Sequence, residues 1–258
     1  MYRIIRSILA APKCNLIVDI AVRKSSSRPL FKPVTHCLFD MDGLLLDTEY
    51  IYEDSVREIC RSFGKDYPWD VRMKVMGTQA ARSAQIVIED VALPISVAEF
   101  LKIQGDYVRT KFTEIDLMKG AERLIRHLHE TQVPFCLATS SGQEMAALEM
   151  SNYPELFDLF LHKVMGSTDR EVKHGKPAPD IFLVAASRFK DKPHPSKCLV
   201  FEDSPNGVRA GISAGMQAVM VVPDPKLVTP EQQNEATIVL ESLEQFKPEL
   251  FGLPKFKD

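Results

Sequence analysis

The chain has 258 residues, enough for one α/β domain with an insertion or for two small domains, and 45% hydrophobic with 26% charged residues is the make-up of an ordinary globular enzyme. No apolar run approaches the roughly 18–20 residues of a membrane-spanning helix, and five dispersed cysteines (Cys14, Cys37, Cys60, Cys136, Cys198) with no CxxC pair read as free thiols, not as a disulfide frame or a zinc site. Residues 1–33 hold seven Lys/Arg against Asp19, which leaves 25 basic and 34 acidic residues over 34–258, a net of −9 that argues against nucleic acid as a partner.

The basic extension comes first. Its start (Arg3, Ile4, Ile5, Arg6, Ile8, Leu9) suits a basic amphipathic turn, and it carries Ser25-Ser26-Ser27. Both a mitochondrial transit peptide and a loosely packed tail have these features, so the expected location is cytoplasmic, with the mitochondrion as the alternative. Val34–Phe39 is a short apolar run ending in Asp40-Met41-Asp42-Gly43, which reads as a buried strand entering a tight turn. Thr48 stands where a helix N-cap belongs, and an amphipathic stretch runs on to about Phe63. Residues 70–113 keep apolar positions at helical spacing (Ile86, Val87, Val91, Leu101, Val108), divided at Pro94 with Ser96 as the next cap.

From Gly120 the texture changes to strand–helix alternation. Residues 121–130 read as a helix, 133–139 as a buried strand, 142–150 as a helix and 159–166 as a strand. A helix follows Pro179, then a strand over 198–203, a helix over 206–215 closed by glycine, and a strand over 217–222. Such alternation implies an α/β fold with a doubly wound parallel sheet. The expected division is 1–33 extension, 34–51 with 118–250 as the α/β core, 52–117 as an inserted helical cap, and 251–258 as a C-terminal tail. An insertion leaving at the first strand end would cover the crevice where open α/β sheets bind ligands, and so act as a lid.

Three expected strands end in polar residues: Asp40-Met41-Asp42-Gly43, Thr139-Ser140-Ser141 and Glu202-Asp203-Ser204. Lys176 lies between the last two, in Gly175-Lys176-Pro177. In a parallel sheet these ends share one edge, so acids, hydroxyls and a lysine converge. Clustered carboxylates repel unless a cation compensates, and Mg²⁺ is the usual cation for oxygen ligands beside a phosphate. Two acids one residue apart can divide labour, one as a nucleophile through an aspartyl-phosphate and one as proton donor and acceptor. Lysine and metal would neutralise the transferring phosphoryl group.

Residues 40–48 match the DxDGxxxDT signature of haloacid-dehalogenase-like phosphatases. Thr139, the Lys176 loop and the Glu202-Asp203 pair resemble that family's other motifs, in the same order. FDMDGLLLDTE, VMG, CLATSSG, HGKPAPDIFLVAA and CLVFEDSPNGV resemble its pseudouridine-5′-phosphatase branch. The resemblance implies a phosphoric monoester hydrolase acting on a small phosphorylated metabolite, with Asp40 as nucleophile and Asp42 as general acid/base. It places the Asp42 backbone carbonyl on the metal, Thr139 on a phosphoryl oxygen, and Lys176 on the phosphoryl group while holding Asp40 charged. Asp203 would complete the Mg²⁺ site, with Glu202 a second acid, direct or through water. Gly77 of the cap loop and Ser140 count with the substrate-binding residues, although Ser140 and Ser141 serve equally well as helix caps.

Pseudouridine 5′-phosphate is the first substrate to expect, with glycerol or sugar phosphates as alternatives, and a monomer is the expected state. The acid at Asp42 sets the chain apart from dehalogenases and from the DKTGT sequence of P-type ATPases. β-Phosphoglucomutases place an arginine three residues after the glycine of the cap loop, where this chain has Ala80, with Arg82 out of register. A silent metabolite-binding protein is the non-enzyme reading, opposed by four intact motifs. His174 is a candidate for substrate contact, His127 and His129 read as packing residues, and Trp69 reads as core.

Overall fold

A strand that is apolar at every position, not at every second one, needs cover on both faces, which parallel sheets with helical crossovers provide. The computed structural model describes residues 31–75, 78, 80–112 and 115–257. Among them, β1 (His36–Phe39), β2 (Phe135–Thr139), β3 (Lys163–Met165), β4 (Cys198–Glu202), β5 (Gln217–Val221) and β6 (Ile238–Leu240) form one parallel sheet in the order β3-β2-β1-β4-β5-β6. Side chains alternate between its faces. Cys37, Phe39, Leu199 and Phe201 enter one apolar layer, whereas Leu38, Cys198 and Val200 enter the other. Helices α5 (Ala121–Glu130) and α6 (Gln143–Met150) pack on the first face through Leu124, Leu128 and Ala146. The later helices over Asp180–Ser187 and Pro205–Ser213 cover the second through Ile181, Phe182, Val208 and Ala210. β1 lies between β2 and β4, so crossovers leave it in opposite directions and open a crevice at the carboxyl ends of these three strands.

Between β1 and β2 the chain forms α1 (Glu49–Ser62), α2 (Trp69–Val75), α3 (Ala80–Val91) and α4 (Val97–Lys111). They share an apolar cluster of Val56, Ile59, Cys60, Val71, Ala84, Val87, Leu93 and Phe100. Ser96 caps α4 as its position suggested: its hydroxyl accepts from Glu99 N at 3.2 Å while Glu99 reaches back to Ser96 N at 2.9 Å. The connections to and from these helices run side by side, Asp47 N donating to Asp116 O and Met118 N to Leu45 O, each at 2.9 Å.

Several expectations are corrected. Thr48 precedes α1 but does not cap it. Its backbone is already helical (φ −97°, ψ −19°), and its hydroxyl donates to the buried Asp42 Oδ1 at 2.9 Å, a charged acceptor stronger than a cap site. The strand expected over 159–166 is confined to Lys163–Met165, because Pro154 opens a helical turn over Pro154–Phe157 and Leu159 and Phe160 continue it with turn hydrogen bonds. The expected tail is packed, with Phe251 and Leu253 in the core and Phe31 stacked on Phe251 at 4.6 Å. Trp69 is 54% exposed, its ring covered by the Arg72 guanidinium at 4.8 Å and not by the core. Cys37, Cys60, Cys136 and Cys198 are free and buried. Among the described residues no helix is long and apolar enough to cross a membrane. Gly77, Cys14 and the extension through residue 30 lie outside the described residues.

Candidate active site

Asp40 is the first residue past β1 and is 5% exposed, its backbone N donating to Phe201 O of β4 at 3.1 Å. Lys176 comes to it from the loop before the Asp180–Ser187 helix. Its Nζ pairs with Asp40 Oδ1, lies 2.6 Å from Glu202 Oε1 and donates to Ala138 O at 3.2 Å, so one ammonium ties together β1, β2 and β4. Burial dominates the Asp40 carboxyl and pushes it up to about 7, although Lys176 pulls it down. Burial also opposes the charge on Lys176, but Asp40 and Glu202 outweigh it and hold the ammonium above its ordinary value.

Asp42 sits two residues along in the same turn. Its carboxylate accepts from Thr48 Oγ1 at 2.9 Å, Ser141 Oγ at 3.0 Å and Thr139 Oγ1 at 3.2 Å. Burial first, and the Asp40 charge second, raise this carboxyl, and the three hydroxyls lower it. A carboxyl raised by burial and held by three hydroxyls is placed to give and take a proton. Thr139 is fully buried, and its hydroxyl is taken up by Asp42 and Ser141 N, while Ser140 and Ser141 line the cavity. The structure therefore sets the threonine hydroxyl on the acid/base candidate, where the resemblance set it on a phosphoryl oxygen.

The third group is acidic. Asp40, Glu202 and Asp203 bring carboxylate oxygens within 4.8 Å of one another. Two glycines permit this: a Cβ on Gly43, which has φ +73°, would lie 2.4 Å from Asp203 Oδ2, and one on Gly207 would lie 1.8 Å from Glu202 Cδ. Ser204 donates to Glu202 Oε2 at 3.0 Å, while buried Oε1 has Lys176 close by without the alignment of a hydrogen bond. Burial and the Glu202 and Asp40 charges push Asp203 well above the usual carboxylate range. Three crowded, oxygen-only donors with a poorly satisfied buried oxygen fit a hard metal cation.

Residues 34–215 match the model of the haloacid dehalogenase-like hydrolase family. The chain is a haloacid dehalogenase-like hydrolase. It is similar to a Drosophila melanogaster protein named probable pseudouridine-5′-phosphatase, with 55% identity over 89% of this chain and 98% of that one. It is also similar to (DL)-glycerol-3-phosphatase 2 of Arabidopsis thaliana, with 46% identity over 87% and 94% of the two chains. A crystal structure of a hydrolase of this type from Deinococcus radiodurans superposes with a TM-score of 0.67, at 23% identity over 85% and 96% of the chains, which shows the fold. The hydrolase is a phosphatase of phosphoric monoesters, and its substrate is a small phosphorylated metabolite.

In the hydrolase, Asp40, Asp42, Ser140, Lys176, Glu202 and Asp203 line a cavity of about 200 Å³ that α1, α2, α3 and α4 wall on the other side. Glu49, Tyr52, Glu53, Tyr67, Arg72 and Gln104 also line it, and none of these was singled out from the sequence. One signal was present: Glu49, Tyr52, Glu53 and Val56 recur at helical spacing on the first helix after the Asp40–Gly43 turn, whose one face must look into the crevice. Tyr52 donates to Glu149 Oε1 at 2.7 Å, and burial pushes the Glu149 carboxyl up to about 10. No spacing links residues 97 positions apart. His174 faces Asp180 at 3.3 Å and does not line the cavity, and His127 is buried against Pro254 O.

Proposed function

We propose that this hydrolase cleaves phosphomonoesters in two steps through an aspartyl-phosphate on Asp40. The observation that carries the reading is the pairing of two differently held acids: Asp40 against the Lys176 ammonium, and Asp42 against three hydroxyls. An Asp40 carboxylate oxygen attacks phosphorus while Asp42 protonates the departing alcohol oxygen. Asp42, now a carboxylate, takes the proton from the water that attacks the acyl phosphate, and Asp40 is regenerated. Lys176 keeps Asp40 ionised and faces the transferring group.

Mg²⁺ is the cofactor we propose, held by Asp40, Asp203, Glu202 and the Asp42 backbone carbonyl. When bound it offsets the charge of the carboxylates and of the phosphoryl oxygens. The helices over 52–117 act as a cap that excludes water and opens for release of the alcohol. Thr139, on a phosphoryl oxygen, belongs with the substrate contacts, as do Ser140 and Gly77.

For the substrate, the name of the Drosophila relative supports pseudouridine 5′-phosphate. Glycerol phosphate is the second reading, on the name of the Arabidopsis relative. A mutase activity is disfavoured because Ala80, which stands at the position of the mutase arginine, lines the cavity. We take the protein to work as a monomer in the cytoplasm, and the net charge of −9 over 34–258 supports a partner that is not nucleic acid. The test is phosphate release by the full chain from pseudouridine 5′-phosphate, glycerol 3-phosphate and sugar phosphates, with Mg²⁺ and with chelator. Chelator-sensitive release is expected, highest with pseudouridine 5′-phosphate. Release that ignores chelator would sink the metal-dependent reading.

A further inference from the structure

The wall of the cavity facing the acid cluster is itself acidic. α1 contributes Glu49 and Glu53, and α2 contributes Arg72. Among the described lining residues the cations are Lys176 and Arg72, and Met76, Gly77 and Gln79, outside the described set, carry no charge. Lys176 is committed to Asp40 and Glu202. Arg72 is committed twice over: its Nη2 lies 2.7 Å from Glu53 Oε2, and its face covers the Trp69 ring at 4.8 Å. Glu53 is fixed in turn by Arg57, which reaches Oε1 at 2.5 Å. A second phosphate in this part of the cavity would meet two carboxylates and a guanidinium already paired.

A hydroxyl or ring N–H meets the opposite situation. Glu49 lines the cavity with a carboxyl that can accept, Glu53 keeps acceptor lone pairs beside its Arg57 and Arg72 contacts, and the Gln104 amide has turned its N–H₂ to Ser55 Oγ at 3.1 Å, which leaves its oxygen as an acceptor. Val56, Val75 and Tyr67 supply apolar surface between these acceptors for the face of a sugar or a heterocycle. On the phosphatase reading above, we infer that this wall selects a neutral, hydroxyl-rich leaving group and rejects a second phosphate, and that Glu53, by occupying Arg72, sets that selectivity. Rejection by a like charge is a common way for a site to discriminate.

The test compares glucose 6-phosphate with glucose 1,6-bisphosphate, which differ by one phosphate on the same sugar. Binding is titrated by calorimetry with Mg²⁺ in the full chain carrying Asp40→Asn, so that selectivity is read without turnover. The bisphosphate should bind at least about tenfold more weakly than the monophosphate. Adding Glu53→Gln frees Arg72, and the ratio should shift toward the bisphosphate by about tenfold. Adding Arg72→Gln as well removes the freed cation and should restore rejection. A bisphosphate that binds as well as the monophosphate overturns the inference. So does a ratio unmoved by Glu53→Gln, or one that shifts equally in the double variant, since that marks a loosened wall and not a released charge. Turnover of p-nitrophenyl phosphate by the unmodified chain separately tests the phosphatase reading, and its failure leaves the binding result intact.

Discussion

Lys176→Met keeps the length of the side chain and removes the one charge that joins Asp40 to Glu202. Both carboxylates are buried, and unpairing a buried charge costs about 3–5 kcal/mol. Asp40 has an escape, since its carboxyl already stands at about 7 and loss of Lys176 raises it further. A carboxyl whose folded value lies above its unfolded one contributes stability that is full at low pH and is lost as pH rises through the folded value. Wild type has lost that contribution once pH passes about 7, whereas the variant goes on losing it up to a higher value. The deficit of the variant should therefore widen by about 1 kcal/mol between pH 6 and pH 8, from the 1.36 kcal/mol that one unit represents. Urea unfolding with chelator present at both pH values measures it. Turnover with Mg²⁺ should fall by about 10²- to 10³-fold, since the mechanism proposed above sets this ammonium against the transferring phosphoryl group. A deficit equal at the two pH values, or a kcat near wild type, would refute the pairing as described.

Gly207→Ala improves intrinsic helix propensity by about 1 kcal/mol, yet its Cβ would meet Glu202 Cδ at 1.8 Å. Displacing that carboxylate should raise the Mg²⁺ concentration for half-maximal activity by about tenfold, and an unchanged metal titration would contradict the role of Glu202. Thr139→Val removes a hydroxyl from Asp42, so glycerol 3-phosphate, with its poor leaving alcohol, should lose about tenfold more activity than p-nitrophenyl phosphate. Equal losses would place the hydroxyl on the phosphoryl group alone. Glu149, at about 10, is protonated when folded and ionised when unfolded at neutral pH, so its contribution to stability is full below about pH 4 and fades as pH approaches 10. Glu149→Gln should remove that slope, up to about 2.7 kcal/mol between pH 6 and pH 8 in chelator; identical pH slopes of stability would show that Glu149 is ionised in the fold.

Much of the sheet edge was legible because its strands are apolar at every position and then stop abruptly at Asp40, Thr139 and Glu202. A parallel sheet turns those stops into neighbours, and Lys176 joins them through a loop fixed by flanking Gly175 and Pro177. What the linear pattern hides is which partner a hydroxyl chooses. Thr48 and Thr139 both sit where a cap or a phosphate contact is reasonable, and both donate to Asp42, a pairing that depends on how the turn after β1 meets the end of β2. The Tyr52–Glu149 pair spans 97 positions and depends on how α1 meets α6. Trp69 misleads through composition: its size suggests a core, but stacking beneath Arg72 satisfies it at the surface. Glu53 and Arg72 read as ordinary surface charges until the helices are packed over the crevice.

The most direct test of the mechanism is to mix the full chain with substrate and Mg²⁺, quench in acid within a single turnover, and locate the phosphoryl group by peptide mass spectrometry. It should be found on the peptide 34–48 at Asp40 and vanish in Asp40→Asn. Steady turnover with the phosphoryl group on another residue, or with Asp40→Asn still active, would contradict an aspartyl-phosphate at Asp40.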